Sequence, residues 1–122
     1  KCRELRGVEV SSSACSDFVI NMDEYDHVSL YESTAEKALP ALKVKPDVVL
    51  VDPPRAGLNP VVIDYLVKMK PREIAYVSCD PATLARDLSR LVRGGYQVNT
   101  TKLFDLFPQT SSIESITYLR SK

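Results

Sequence analysis

The feature that most constrains the fold is an apolar run from Asp47 to Val51 that stops abruptly at Asp52-Pro53-Pro54. A run of this kind is typical of a strand buried on both faces of a parallel sheet. The two prolines fix φ and remove two backbone donors, so the strand cannot continue past them. Glu73–Ser78 has the same apolar character. The sequence therefore predicts a sheet with at least two buried strands.

Helical patterns alternate with these strands. Asn59 to Lys70 begins with an asparagine suited to the N-cap and a proline at the first helical position. Pro81 to Arg93 follows a second N-cap candidate, Asp80, and ends at two glycines. The order β-α-β-α-β-α-β-α-β-β predicts an open α/β sheet whose last two strands pair antiparallel. The other predicted elements are strands at 4–10, 28–31, 96–103 and 113–120 and helices at 11–21 and 35–41.

Composition narrows the class of protein. The chain has 122 residues, 44% of them hydrophobic and 26% charged, which is ordinary for a soluble domain. No apolar run approaches the roughly 18 residues of a membrane helix, and no signal peptide is evident, so we expect a cytoplasmic protein. The net charge of zero does not point to nucleic acid. Three cysteines without a CxxC pair and a single histidine, His27, predict no metal site.

Candidate functional residues follow three of the predicted strands. Ligands of open α/β sheets bind beyond the carboxyl ends of the strands, where Glu9, Asp52 to Arg55 and Cys79 fall. The turn at Asp52 either only terminates a strand or faces a ligand, and Arg55 could hold a phosphate or carboxylate there. Cys79 precedes a helix N-terminus, which favours a thiolate. By position alone, a small buried apolar side chain is the favoured interpretation of Cys79.

Three segments together resemble one family, the RNA uracil-5-methyltransferases. They read DPPRAGL at 52–58, SCDPATLARDL at 78–88 and DLFPQTSSIESI at 105–116, and the resemblance covers nearly all of residues 5 to 120. It implies an α/β fold with a Rossmann-like class I methyltransferase sheet, mostly parallel with a C-terminal antiparallel strand pair. It also implies S-adenosyl-L-methionine as cofactor and methylation of uridine C5 in tRNA or ribosomal RNA, with RNA as the partner.

The resemblance implies a role for individual residues. Cys79 corresponds to the nucleophile, which adds to C6 of uracil and so makes C5 reactive toward a methyl group. Glu114 corresponds to the base that removes the C5 proton; without the resemblance it reads as an ordinary exposed strand residue. Glu9 corresponds to the acidic residue that binds the cofactor ribose. The remaining candidates are Asp52 and Pro53 at the cofactor, and Arg55, Gln109 and Thr110 at the substrate.

The sequence also departs from the family pattern. Ser112 stands where the family usually has histidine, and Thr34 stands where it has aspartate. The first strand of the class I sheet and its glycine-rich cofactor loop have no counterpart before the strand that carries Glu9, and the family's iron-sulfur cysteines and RNA-binding β-barrel are absent. We therefore expect a catalytic domain truncated at its N-terminus, inactive in isolation and binding S-adenosylmethionine weakly or not at all. The strands ending at Glu9 and Asp52 should either approach each other or leave a compromised sheet.

Three alternatives remain open. An RNA cytosine-5-methyltransferase also uses a motif cysteine, but it carries a second cysteine in the turn that here reads DPPR. An amino-methyltransferase has an aromatic residue where Arg55 stands. A non-catalytic α/β module is the third. The predicted helix at 81–93 also carries three arginines at helical spacing, namely Arg86, Arg90 and Arg93. They could form a stripe that faces phosphate, but a solvated basic helix face is the favoured interpretation.

Overall fold

A computed structural model describes residues 2–106, 108–110 and 113–122. Within these residues it has six strands and four helices in the predicted order. The strands are β1 (Leu5–Glu9), β2 (Val28–Glu32), β3 (Val48–Val51), β4 (Glu73–Ser78), β5 (Tyr96–Phe104) and β6 (Glu114–Ser121). The helices are α1 (Ser12–Met22), α2 (Ala35–Ala41), α3 (Pro60–Met69) and α4 (Pro81–Arg93).

The predicted caps set the starts of the two helices around the candidate site. The Asn59 side chain accepts a hydrogen bond from the N–H of Val61 at 3.0 Å before α3. Asp80 Oδ1 accepts one from the N–H of Thr83 at 2.8 Å before α4. Both caps satisfy N–H groups that the first helical turn leaves without a partner. The positions of α3 and α4 therefore follow directly from local sequence.

The strands form two sheets in two compact units, residues 1–43 and 44–122. In the first unit β1 and β2 pair in parallel, and Phe18 of α1 packs against Gly7 of β1. In the second unit the strand order is β3-β4-β6-β5, with β3 parallel to β4. Strand β6 runs antiparallel to both β4 and β5, which confirms the predicted C-terminal antiparallel pair.

The sequence left two outcomes open for the strands that end at Glu9 and Asp52. These strands, β1 and β3, belong to different sheets, one in each unit. The expectation that they approach each other or leave a compromised sheet stays a prediction. The α/β class and the mixed strand directions agree with the prediction.

The core of the second unit lies between one face of its sheet and the helices α3 and α4. Tyr76 of β4 is fully buried, and its hydroxyl reaches Asp87 of α4. The prediction that the run from Asp47 to Val51 is buried on both faces is wrong, because Val48 is 52% exposed and Leu50 70%. Strand β3 lies at the edge of its sheet, and these two side chains point away from the face that α4 covers. Within the described residues, no helix has the length and apolar character to cross a membrane.

Candidate active site

The centre of the candidate site is the point where strands β4 and β6 meet. Ser78 and Ser115 are the last partners of the antiparallel ladder, and Ser115 Oγ donates to the Ser78 carbonyl at 3.3 Å. Successive rungs advance one residue on β4 and go back one on β6. Cys79 directly follows Ser78 in the chain and Glu114 directly precedes Ser115, so the two candidates flank the last rung of this ladder.

The backbone bends tightly around Cys79, whose side chain is half-buried. Ser78 Oγ accepts from the N–H of Asp80 at 3.1 Å and donates to the Asp80 carbonyl at 3.0 Å. The pKa of Asp80 is lowered, first by the Thr83 N–H, then by the Thr83 hydroxyl, with a smaller contribution from the positive charge of Arg55. Asp80 is thus held as an anion at the start of α4, one residue after Cys79.

The turn at residues 52–58 follows β3 and carries two candidate residues. Asp52 is exposed, and Pro53 is half-buried. The N–H of Gly57 donates to the Pro54 carbonyl at 2.8 Å, which closes a β-turn with Arg55 at its second position. Arg55 is exposed and lies near enough to Asp80 to lower the pKa of that carboxyl. Arg55 and Cys79 therefore lie at the same edge of the sheet, beyond the carboxyl ends of the parallel strands β3 and β4.

Helix α4 holds this turn through a residue that the sequence reasoning missed. Asp87 is 0% exposed, and its Oδ2 accepts from the N–H of Leu58 at 2.8 Å and the hydroxyl of Tyr76 at 2.6 Å. The signal was present, because Asp87 falls on the face of α4 that also carries the buried Leu84 and Leu91. A carboxylate on a buried helix face must be paired, so it points to a polar network.

The three arginines of α4 do not form a free basic stripe. Arg86 contacts Asp87 Oδ1 at 2.9 Å and donates to the Ala56 carbonyl at 2.8 Å. Arg90 lies 3.4 Å from Asp64, and Arg93 donates to the Ser89 carbonyl at 3.3 Å. The Arg86 side chain is nevertheless 54% exposed, which agrees with the favoured interpretation of a solvated basic face, although its guanidinium also has two protein partners. The turn at residues 52–58 supplies one of them.

Glu9 lies in the first unit, at the carboxyl end of β1. Its Oε1 accepts from the N–H groups of Ser11 and Val10, both at 2.7 Å. The pKa of Glu9 is lowered by these bonds, that to Ser11 first. The side chain is therefore a fixed anion whose other oxygen can accept hydroxyl donors. Thr34, where the family has aspartate, is the N-cap residue of α2 and makes no side-chain capping bond.

The other two cysteines have surroundings unlike those of Cys79. Cys15 is buried, and burial raises the pKa of its thiol, with the charges of Glu32 and Glu9 adding to the effect. Cys2 is exposed, and its thiol donates to the Glu4 carbonyl. A thiol held protonated is a poor nucleophile, so Cys15 is unsuited to the chemistry considered for Cys79.

The loop before β6 carries the last two candidates. Gln109 and Thr110 are both exposed, and Gln109 adopts a left-handed backbone conformation with φ of +66°. Ser112 lies outside the described residues. Among the described residues, no group of three histidine, cysteine, aspartate or glutamate side chains is placed to bind a metal.

A family model for tRNA (uracil-5-)-methyltransferases matches residues 31–122. A protein of Enterococcus faecalis named as an uncharacterized RNA methyltransferase is 41% identical over 96% of this chain and 27% of its own length. The chain thus spans about a quarter of the length of such relatives.

Solved structures are also similar to this chain. The tRNA (uracil-54, C5)-methyltransferase of Pyrococcus abyssi, in complex with S-adenosyl-L-homocysteine, is 31% identical with a TM-score of 0.81. That match covers 95% of this chain and 28% of the other. NSun6 of Pyrococcus horikoshii has a TM-score of 0.75 over 97% of this chain and 41% of its own, but at 18% identity it shows a shared fold alone.

Proposed function

Because the chain belongs to the tRNA (uracil-5-)-methyltransferase family, we propose that it forms part of the catalytic domain of an RNA uracil-5-methyltransferase. The reaction transfers a methyl group from S-adenosylmethionine to C5 of a uridine in tRNA or ribosomal RNA. One observation carries the proposal. A half-buried cysteine, Cys79, and a carboxylate, Glu114, flank the last rung between β4 and β6, at the carboxyl end of a central strand.

Cys79 is the nucleophile in this proposal. Its thiolate sulfur bonds to C6 of uracil, and the electrons of the C5–C6 double bond move through C5 toward the O4 oxygen. C5 is then an enolate carbon that can bond to an electrophilic methyl group. The position of Cys79, one residue before the cap of α4, supports this role because a helix N-terminus stabilises negative charge.

Glu114 is the base that completes the reaction. After C5 has gained the methyl group, the carboxylate accepts the C5 proton. The electrons of the C5–H bond re-form the C5–C6 double bond, the C6–S bond breaks, and the thiolate of Cys79 is released. The placement of Glu114 at the first position of β6, next to the bonded pair Ser78 and Ser115, supports this role.

Glu9 fits the ribose of the cofactor. Its carboxylate is ionised and already oriented by two backbone N–H groups, so it is ready to accept hydroxyl donors. S-adenosylmethionine supplies the methyl group, activated by its bond to a sulfonium sulfur. Asp52 and Pro53, directly after β3, are the candidates for the side of the cofactor that faces the target base.

The RNA contacts of the chain are assigned to exposed residues of two loops. Arg55 projects from the tip of the β-turn after Pro54, where a guanidinium can pair with a phosphate. Gln109 and Thr110 lie in the loop that leads to Glu114 and are candidates for hydrogen bonds to the base. The alternative of a cytosine-5-methyltransferase is not favoured, because the DPPR turn carries no second cysteine.

The test uses RNA that contains 5-fluorouridine and the longest natural form of the protein. A fluorine at C5 cannot leave as a proton does, so the reaction should stop at the covalent adduct. We expect a protein–RNA adduct with the wild type and with the control Cys2→Ser, and none with Cys79→Ser. An adduct that persists in Cys79→Ser contradicts the assignment of the nucleophile.

A further inference from the structure

A buried polar cluster links helix α4 to the turn that carries Arg55. The cluster consists of the fully buried carboxylate of Asp87 and its three donors, Leu58, Tyr76 and Arg86. Its Oδ2 accepts from the backbone of Leu58 and the hydroxyl of Tyr76, and its Oδ1 faces the guanidinium of Arg86. Three elements, namely the turn, β4 and α4, therefore meet at one side chain.

Two of the contacts from α4 hold the backbone of the turn on the C-terminal side of Arg55. Arg86 donates to the Ala56 carbonyl at 2.8 Å, and Asp87 accepts from the Leu58 N–H at 2.8 Å. The β-turn bond from Gly57 to Pro54 closes the loop around Arg55 itself. Few degrees of freedom then remain for the backbone that presents this arginine.

The close approach depends on glycine. Gly57 has φ of +77°, and a Cβ at this position would lie 2.5 Å from Asp87 Oδ2 and 2.6 Å from an Arg86 nitrogen. A larger residue would therefore separate the turn from the cluster. The same helix begins two residues after Cys79, so α4 starts beside the proposed nucleophile and contacts the turn through its middle.

We propose that Asp87 is a positioning residue that, together with Arg86, fixes Arg55 relative to Cys79 for binding of the RNA substrate. The inference rests on the proposed function. Stability alone does not explain a carboxylate here, because well-packed apolar residues often stabilise a core as much as a buried ion pair does. The hydrogen bonds from Arg86 and Asp87, in contrast, fix the position of the turn at residues 52–58 relative to α4. An error of about 1 Å in such a position can slow a reaction roughly 100-fold.

The experiment measures the single-turnover rate of adduct formation with 5-fluorouridine RNA at subsaturating RNA and saturating cofactor, per folded molecule. In the longest natural form of the protein, Asp87→Asn should be about 10- to 100-fold slower than the wild type. Asp64→Asn, which alters an exposed aspartate 3.4 Å from Arg90, is the matched control and should react at the wild-type rate. A wild-type rate for Asp87→Asn overturns the inference.

A second readout separates positioning from a merely structural role. If Asp87 acts through Arg55, the double variant Asp87→Asn/Arg55→Ala should be no slower than the slower single variant. Multiplied effects of the two substitutions would overturn the inference. If Asp87→Asn does not fold, Tyr76→Phe decides, because it removes one donor and keeps the carboxylate. Its rate should fall roughly three- to tenfold, and an unchanged rate would contradict the proposal.

The result for the wild type separates failure of the proposed function from failure of the role given to Asp87. A wild type that forms no adduct removes the proposed function and this inference with it. A wild type that reacts, with an equally fast Asp87→Asn, removes the inference alone.

Discussion

Ser115 donates its hydroxyl to the carbonyl of Ser78, and the two residues are partners in the last rung between β4 and β6. This side-chain bond reinforces the register at the position where the ladder ends. A slip of one residue would turn every side chain of a strand to the opposite face. The pair therefore helps to fix the register of β4 and β6 directly beside Cys79 and Glu114.

Gly57→Ala should destabilise the chain by about 1–3 kcal/mol, because the left-handed backbone and the approach to Asp87 both exclude a Cβ. Denaturation with urea measures the effect. Gly95→Ala is the control, since Gly95 also has positive φ, of +99°, but a Cβ there meets nothing within 4 Å. Equal losses in the two variants would show that the contact with Asp87 costs nothing.

Much of the fold could be predicted because its signals are local. Asn59 and Asp80 cap α3 and α4 with their own side chains, and the apolar run EIAYVS forms the buried strand β4. The exposure of Val48 and Leu50 could not be predicted from local sequence. Exposure of an edge strand depends on which elements cover it, and that is a property of the whole sheet.

The candidate site was predictable in part for the same reason. Cys79, Glu114 and Glu9 all lie at strand ends, where a sequence pattern can place them. Asp87, in contrast, contacts Leu58 and Tyr76, which lie 29 and 11 positions before it in the sequence. No periodicity of one element specifies such contacts, although an aspartate on the apolar face of α4 indicated that a partner was needed.

Glu9→Gln should weaken binding of S-adenosylhomocysteine roughly tenfold or more, because a hydrogen bond to a charged acceptor is replaced by one to a neutral amide. Calorimetric titration of the longest natural form of the protein measures the dissociation constant. Glu4→Gln is the control, since Glu4 is exposed and pairs with Arg6. Unchanged affinity in Glu9→Gln would remove Glu9 from the cofactor site.

Tyr96 should make stability depend on pH in the alkaline range. Burial raises the pKa of Tyr96 from 10.0 to about 12, and its hydroxyl donates to the Pro71 carbonyl at 3.0 Å. Because the folded pKa is the higher one, this stabilisation is complete below pH 10 and is lost as pH rises toward 12. The free energy of unfolding of the wild type should therefore fall relative to Tyr96→Phe over this range. Urea denaturation at several pH values measures this, and a difference between the two proteins that does not change with pH would contradict the prediction.

The most direct test of the proposed chemistry is the mass of the Glu114→Gln variant after reaction with unmodified RNA and S-adenosylmethionine. An amide cannot accept the C5 proton, so the C6–S bond should not break. We expect a covalent protein–RNA complex that carries one added methyl group, attached at the peptide containing Cys79. Release of free methylated RNA at the wild-type rate, with no adduct, would contradict the roles given to Cys79 and Glu114.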